Sequence, residues 1–394
     1  MTAAVGDLFL PEPEPRAVRY TVISVDDHLV EPRDMFEGRL PRRFQNQAPR
    51  VVETQLGNEV WEFDGQRYAQ GAALAIAGRR RETAINEVCR FEHMRAGCWN
   101  IQSRVRDMDL NGVWASLNFP SMVTGFCGRV FSGSSDAQLG QAVMRAWNDW
   151  LCEEWWSPYP ERIIPLGVTW LSDPEVGAVE IRRNAERGFR AVTLPDRPHL
   201  LGLPSIFSHY WEPVIRACVE TDTVICLHVG ASGSDPLPEG KAPGLSPTLF
   251  EQQALTACAE WLWTGWAVRF PELKVAMSEG GIGWVAMLID RLDDLTAHSG
   301  HGQDWDLRPS DVLRRNFWFC TLGDPSTIDT RRTIGVENVM VEVDYPHIDG
   351  TWPDTQELIG QRWGHIPAPE LRLMCCENAA RLFRHALPDD VLPV

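Results

Sequence analysis

The sequence predicts an α/β protein, a (β/α)8 TIM barrel with a β-hairpin-containing segment inserted after its first strand. Three observations carry the prediction. Short β-branched apolar segments alternate with helical stretches, as in parallel sheets covered by helices. There are eight such segments, the number that closes a barrel at this chain length. No GxGxxG follows a strand and no GKS or GKT occurs, so an open nucleotide-binding sheet lacks its fingerprint.

In chain order, residues 1–19 are rich in Pro and Glu and read as an N-terminal arm. A single barrel domain is expected over 20–385, with a C-terminal tail over 386–394. TVISVDDH reads as a buried first strand that ends in polar groups. The inserted segment spans about 36–100 and carries NEVWEFDGQRY, two alternating strands around an Asp64-Gly65 turn. A helix near 101–109 and strand 113–120 follow, then helix 136–156, strand 163–171, helix 174–187 and strand 191–195. Next come helix 209–220, strand 224–230, a long helix 247–269 and strand 274–281. Helix 283–296, strand 317–322, helix 325–334, strand 339–347 and helices over 354–362 and 368–385 complete the alternation.

Composition narrows the function. The 54 acidic and 37 basic side chains leave a net charge of −17, which argues against binding a polyanion such as nucleic acid. The ten cysteines include no CxxC pair, so reduced thiols are expected rather than a disulfide framework or zinc ribbon. The first residues lack a basic and apolar leader, and no apolar run approaches the ~18 residues of a membrane span. A cytoplasmic protein without membrane contact is expected.

A barrel's chemistry lies at the carboxyl ends of its strands. There the sequence has Asp26 and His28 on the first strand, His228 on the fifth, Glu279 on the sixth, and Asp344 and His347 on the eighth. Strand alternation gives Asp26 and His28 one facing and turns Asp27 away. Any one of these could cap a helix or sit hydrogen-bonded in the core. Six carboxylates and imidazoles at one end of the barrel point instead to a metal site. His93, inside the inserted segment, is a candidate further ligand or substrate contact, with a surface histidine as the alternative. Arg79, Arg80 and Arg81 are a candidate anion-binding run, with a solvated charge cluster as the alternative. No GxSxG elbow or HExxH occurs, so no Ser or Cys nucleophile is indicated.

At these residues the chain resembles the amidohydrolase superfamily, in its family-2 branch that includes aminocarboxymuconate-semialdehyde decarboxylase and resorcylate decarboxylases. The carriers are VDDHLVEP, LHVG, SEGGIGW, VDYPH and the closing ENAARLF, and the resemblance spans about 20–385. It implies a metal ion held by Asp26, His28, His228 and Asp344. Three departures stand out: Asp26 replaces a commoner His, Glu279 takes the place of a catalytic His, and His347 follows the DYP turn. No Lys ends the fourth strand, so a bridging carboxylated lysine is not expected.

The DDH, SEGG and DYPH pattern also resembles a sub-branch linked to non-heme diiron oxygenation. That resemblance makes a monooxygenase the first expectation. All six residues would bind two irons, Glu279 and Asp344 would act in catalysis, and O2 would hydroxylate an apolar small molecule, an acyl-CoA being the implied handle. The alternative is a mononuclear zinc or manganese hydrolase or non-oxidative decarboxylase, and a homo-oligomer is expected in either case. A non-catalytic barrel would hold no metal and would tolerate His28→Ala.

Overall fold

The computed structural model of the protein describes residues 8–80 and 90–393. Its centre is a ring of parallel strands. Strand β1 (Val22–Leu29) is followed in the inserted segment by β2 (Arg50–Glu53), β3 (Glu59–Phe63) and β4 (Gln66–Ala69). The remaining strands are β5 (Val113–Pro120), β6 (Ile163–Ile164), β7 (Leu166–Gly167), β8 (Ala191–Thr193), β9 (Val224–His228), β10 (Val275–Ser278), β11 (Phe317–Thr321) and β12 (Val339–Val341). One parallel run is β1-β5-β6 and another is β7 through β12 in sequence order. Between them Pro165, which has no N–H to give to a ladder, splits a single barrel strand into β6 and β7. The ring closes where Asp344 N donates to Asp26 O at 2.8 Å and His28 N to Tyr345 O at 2.6 Å. The predicted (β/α)8 barrel is therefore the observed fold.

Alternation along the strands sorts the core. Ile23, Leu117, Leu166, Val224, Ala276 and Met340 belong to one buried cluster inside the ring. Residues of opposite facing, such as Ile225, Leu227, Val339 and Val341, join the larger cluster beneath the helices. Along β1 the pairing with β5 shifts register between Ser24 and Asp27. Such a shift re-aims side chains, so that Val25 packs with the inner cluster and Asp26 and His28 both reach the barrel mouth.

Several boundaries differ from the sequence expectation. The inserted hairpin is a three-stranded antiparallel sheet, because RVVE at β2 pairs with β3. The predicted helix 247–269 is three pieces, Leu245–Thr248, Phe250–Trp263 and Trp266–Arg269, the last break falling at Gly265 with φ 73°. Helix 325–334 shrinks to Ile328–Thr330 and Arg331–Ile334. Helices 136–156 and 368–385 each contain a π-helical stretch, Leu151–Trp156 and Leu373–Glu377. The arm and tail pack on the barrel: Arg16 meets Asp354 at 2.5 Å and Glu357 at 2.8 Å, while Leu392 exchanges 2.9 Å hydrogen bonds with Thr21. Among the described residues no helix is long and apolar enough to cross a membrane.

Candidate metal centre

Four barrel strands bring six side chains together. Asp26 and His28 stand on β1, His228 ends β9, Glu279 follows β10, and Asp344 and His347 follow β12. His28 Nε2 lies 3.4 Å from both Asp26 Oδ1 and Asp344 Oδ1, and 3.2 Å from His228 Nε2. His228 Nε2 is 2.8 Å from Glu279 Oε2, and His347 Nδ1 is 3.0 Å from Asp344 Oδ1. The His28 and His347 rings stack with centroids 3.5 Å apart. Glu279 and Asp344 hold left-handed backbones, φ 55° and 54°. That conformation is uncommon outside glycine and concentrates at functional sites.

The surroundings fix these groups without satisfying them. His228 Nδ1 hydrogen-bonds Val229 O at 2.8 Å, which leaves Nε2 facing the cluster. Arg104 donates to the carbonyls of His28 and Gly97 and lies over the Tyr345 ring at 4.3 Å. Asp27 points into the closing seam, accepting from Ser24 Oγ at 2.9 Å and Tyr345 N at 3.1 Å. By contrast, both oxygens of Asp26 and of Asp344, His28 Nδ1 and His347 Nε2 are buried without a hydrogen-bond partner. Buried polar atoms are almost always paired, so four orphaned carboxylate oxygens beside three imidazoles mark a place for a cation.

The electrostatics agree. Burial pushes the Asp26 and Asp344 carboxyls well above the usual range, with neighbouring carboxylates adding to the shift. Burial drives His347 down to about 3 and lowers His28. Burial also opposes charge on His228, yet Asp26 and Glu279 outweigh it and hold that imidazole at about 9. A set of hard carboxylates and borderline imidazoles fits manganese, zinc or iron. The ligand atoms form two overlapping groups, Asp26-His28-His228 and His28-Glu279-Asp344-His347, each within 4.8 Å.

Sequence reasoning missed Glu342, which forms a third group with Asp26 and Cys320. Burial raises its carboxyl to about 7, and it accepts from Cys320 Sγ at 2.5 Å. Alternation would have found it, because Met340, Glu342 and Asp344 share one facing. His93, on the turn Phe91–His93, is outside these ligand groups, its Nε2 3.9 Å from Glu92 Oε1. The arginine run is not one exposed patch: Arg79 is buried, Arg80 is exposed, and Arg81 lies outside the described residues.

A cavity of about 470 Å³ touches His347 and carries Arg79 and Arg80, and two larger ones flank the centre. One, of about 540 Å³, touches Glu279, Glu342 and Asp344 and is acidic, with Glu251, Asp324 and Asp349 on its wall. The other, of about 760 Å³, lies over the ends of β5 and β9 and meets the imidazoles at Phe126. The Phe126 ring centroid is 4.6 Å from that of His228 and 5.2 Å from that of His28.

A barrel with a carboxylate–imidazole cluster at its strand ends defines a metal-dependent enzyme of the amidohydrolase-like class. The amidohydrolase family model Amidohydro_2 matches residues 89–385, and the chain belongs to that family. It is similar to an amidohydrolase from Mycobacterium avium subsp. paratuberculosis at 22% identity and TM-score 0.72, covering 93% of this chain and 100% of that one. It is also similar to a 5-carboxyvanillate decarboxylase from Novosphingobium aromaticivorans, complexed with manganese and a nitrobenzoic acid, at 19% and 0.64, covering 93% and 96%. A dihydroxybenzoic acid decarboxylase from Polaromonas with bound manganese is similar at 16% and 0.61, covering 93% and 97%. No curated protein matches the chain. These findings support a metal-dependent enzyme of the family and give no support to the expected iron pair or monooxygenase reaction.

Proposed function

We propose that the protein is a non-oxidative decarboxylase working with one manganese or zinc ion held by Asp26, His28, His228 and Asp344. The observation that carries this reading is the set of orphaned donor atoms in the cluster, in a barrel whose structural neighbours include manganese-bound decarboxylases. The bound ion would supply positive charge to orient a carboxylate and to stabilise negative charge developing on the substrate. The bond between the carboxylate and the substrate body breaks, CO2 leaves, and the electron pair stays on the body carbon until a proton reaches it. Glu279 is the proton carrier: its side chain is 15% exposed, against 6% or less for the other five residues. Without an ion, burial works to raise its carboxyl, but the charge on His228 outweighs burial and holds it below the usual range. The His228 proton responsible is displaced when a metal binds. Glu279 also opens on the acidic cavity, from which its proton can be renewed.

One observation favours a second reading, the iron-dependent monooxygenase. The two overlapping donor groups offer six ligands, more than one tetrahedral ion takes, and Glu279 adds a carboxylate where the resemblance leads one to expect an imidazole. Metal analysis of protein from cells supplied with manganese, zinc and iron, read beside CO2 release from hydroxybenzoic acids with and without air, separates the two. One manganese or zinc per chain with oxygen-independent CO2 release is the expected result. Two irons with O2 uptake on reduction would overturn it in favour of the oxygenase.

A further inference from the structure

We propose that the 760 Å³ cavity is the chamber of an elongated substrate bearing an anionic group remote from its reacting carbon, and that Arg129 holds that group. The inference rests on the reading of the cluster as the catalytic centre and names the substrate class it serves.

Position comes first. Ser121 and Met122 follow β5, while Gly230 and Ala231 follow His228, so the cavity sits at the catalytic end of the barrel. Phe126 lines it and its ring contacts those of His28, His228 and His347, so the reacting end of a bound substrate lies at that ring. Size comes next. Chambers of about 300–1,000 Å³ enclose drug-sized ligands, and a single ring with one carboxylate fills only part of this volume.

Charge decides the class. The protein carries −17, the cavity at Glu279 is lined mainly by carboxylates with Arg362 among them, and the cavity at His347 has Asp354 as well as Arg79 and Arg80 on its wall. The wall of this chamber has two arginines and, among the described residues, no acid. Arg67 is 3.4 Å from Glu62, whereas Arg129 has no ion pair among the described residues. A side chain at Gly125 would approach Arg129 Nε to 3.0 Å, so the glycine leaves room for the guanidinium arm. Met122, Leu171, Leu201 and Leu203 supply an apolar wall for the substrate body. Since the centre takes the reacting group, a cation on this separate wall serves a second anion.

Two fluorescent probes test this on the metal-loaded enzyme. Anilinonaphthalene sulfonate is an anion with an apolar body, and N-phenylnaphthylamine is the same body without the charge. Arg129→Gln is expected to weaken the sulfonate about tenfold and leave the neutral probe unchanged. Arg129→Lys should retain most of the sulfonate's affinity, and Leu203→Trp, which fills the chamber, should weaken both probes. Sulfonate binding unchanged by Arg129→Gln, or either probe unaffected by Leu203→Trp, overturns the proposal. Metal content measured on the same samples keeps the outcomes apart, because a chain that retains no metal defeats the catalytic reading whatever the probes do.

Discussion

Glu279 and His228 stand 2.8 Å apart, yet the proposed function gives them different work, and substitution separates it. His228→Ala should abolish retention of the metal through dialysis, since it removes a buried donor already oriented by Val229 O. Glu279→Gln should keep the metal and lower kcat by about 10²–10⁴, the usual contribution of a positioned proton carrier. If Glu279→Gln instead halves a two-ion stoichiometry, Glu279 is a ligand of a dinuclear centre. His228 also sets a pH dependence. Its imidazole, held at about 9, carries a proton at neutral pH when no ion is present, and a metal must displace that proton. Metal affinity should therefore rise with pH below 9, by roughly tenfold per unit for each proton released, the raised carboxyls of Asp26 and Asp344 adding to the effect of His228. Titrations at pH 6.5 and 8.5 check it, and equal affinities would contradict it. Most of this cluster was legible in the sequence because polar residues at apolar strand ends are conspicuous. Glu342 was obscured by its flanking valines, and Phe126 by a loop whose path depends on the glycines around it.

The element pattern was readable wherever a segment buries one face, and less so where pairing is cut short. Strands β6, β7, β8 and β12 pair over only two or three residues, although the apolar runs that contain them are longer. The ladder stops at Val341 while the chain continues to the site, and alternation of apolar residues does not reveal where hydrogen bonding ends. The third strand of the inserted sheet is hard to read because RVVE is short and half exposed, although it pairs with β3 across a short local loop. One helix carries a constraint opposite to its propensity. Gly140 lies within Ala137–Trp150, where alanine would ordinarily stabilise by about 1 kcal/mol. A Cβ there would collide with the carbonyl of Phe131 and meet the Trp170 ring at 2.8 Å. Gly140→Ala should destabilise the protein by about 1–3 kcal/mol and lower the melting temperature. The N-cap variant Asp136→Ala is a calibrant in the same helix, with an expected cost of about 1 kcal/mol, because Asp136 Oδ1 accepts from Gln138 N and Leu139 N. Equal or higher stability for Gly140→Ala would show that the helix shifts freely away from Phe131.

Over the whole molecule, the centre couples catalysis to stability. The barrel closes between β1 and the segment after β12, and Asp26 and Asp344 come from the two sides of that seam. Both are buried with unpaired oxygens, so without a cation the seam holds carboxyls that burial and mutual repulsion disfavour. An ion bound there ties together strands from separate parts of the ring and stabilises by mass action, about 2.7 kcal/mol at a free concentration one hundred times Kd. Removing the metal by chelation should lower the melting temperature, and adding back the native ion should restore it. Asp344→Asn should act in the opposite sense. It removes one disfavoured ionisable group and should make the metal-free protein more stable than metal-free wild type, by about 1 kcal/mol, while abolishing the rise on adding metal. Thermal scans of both proteins with and without metal give four values that decide it. If Asp344→Asn lowers the metal-free melting temperature, Asp344 is a structural residue of the seam, and the strained acidic centre would then owe its retention to folding rather than to the ion.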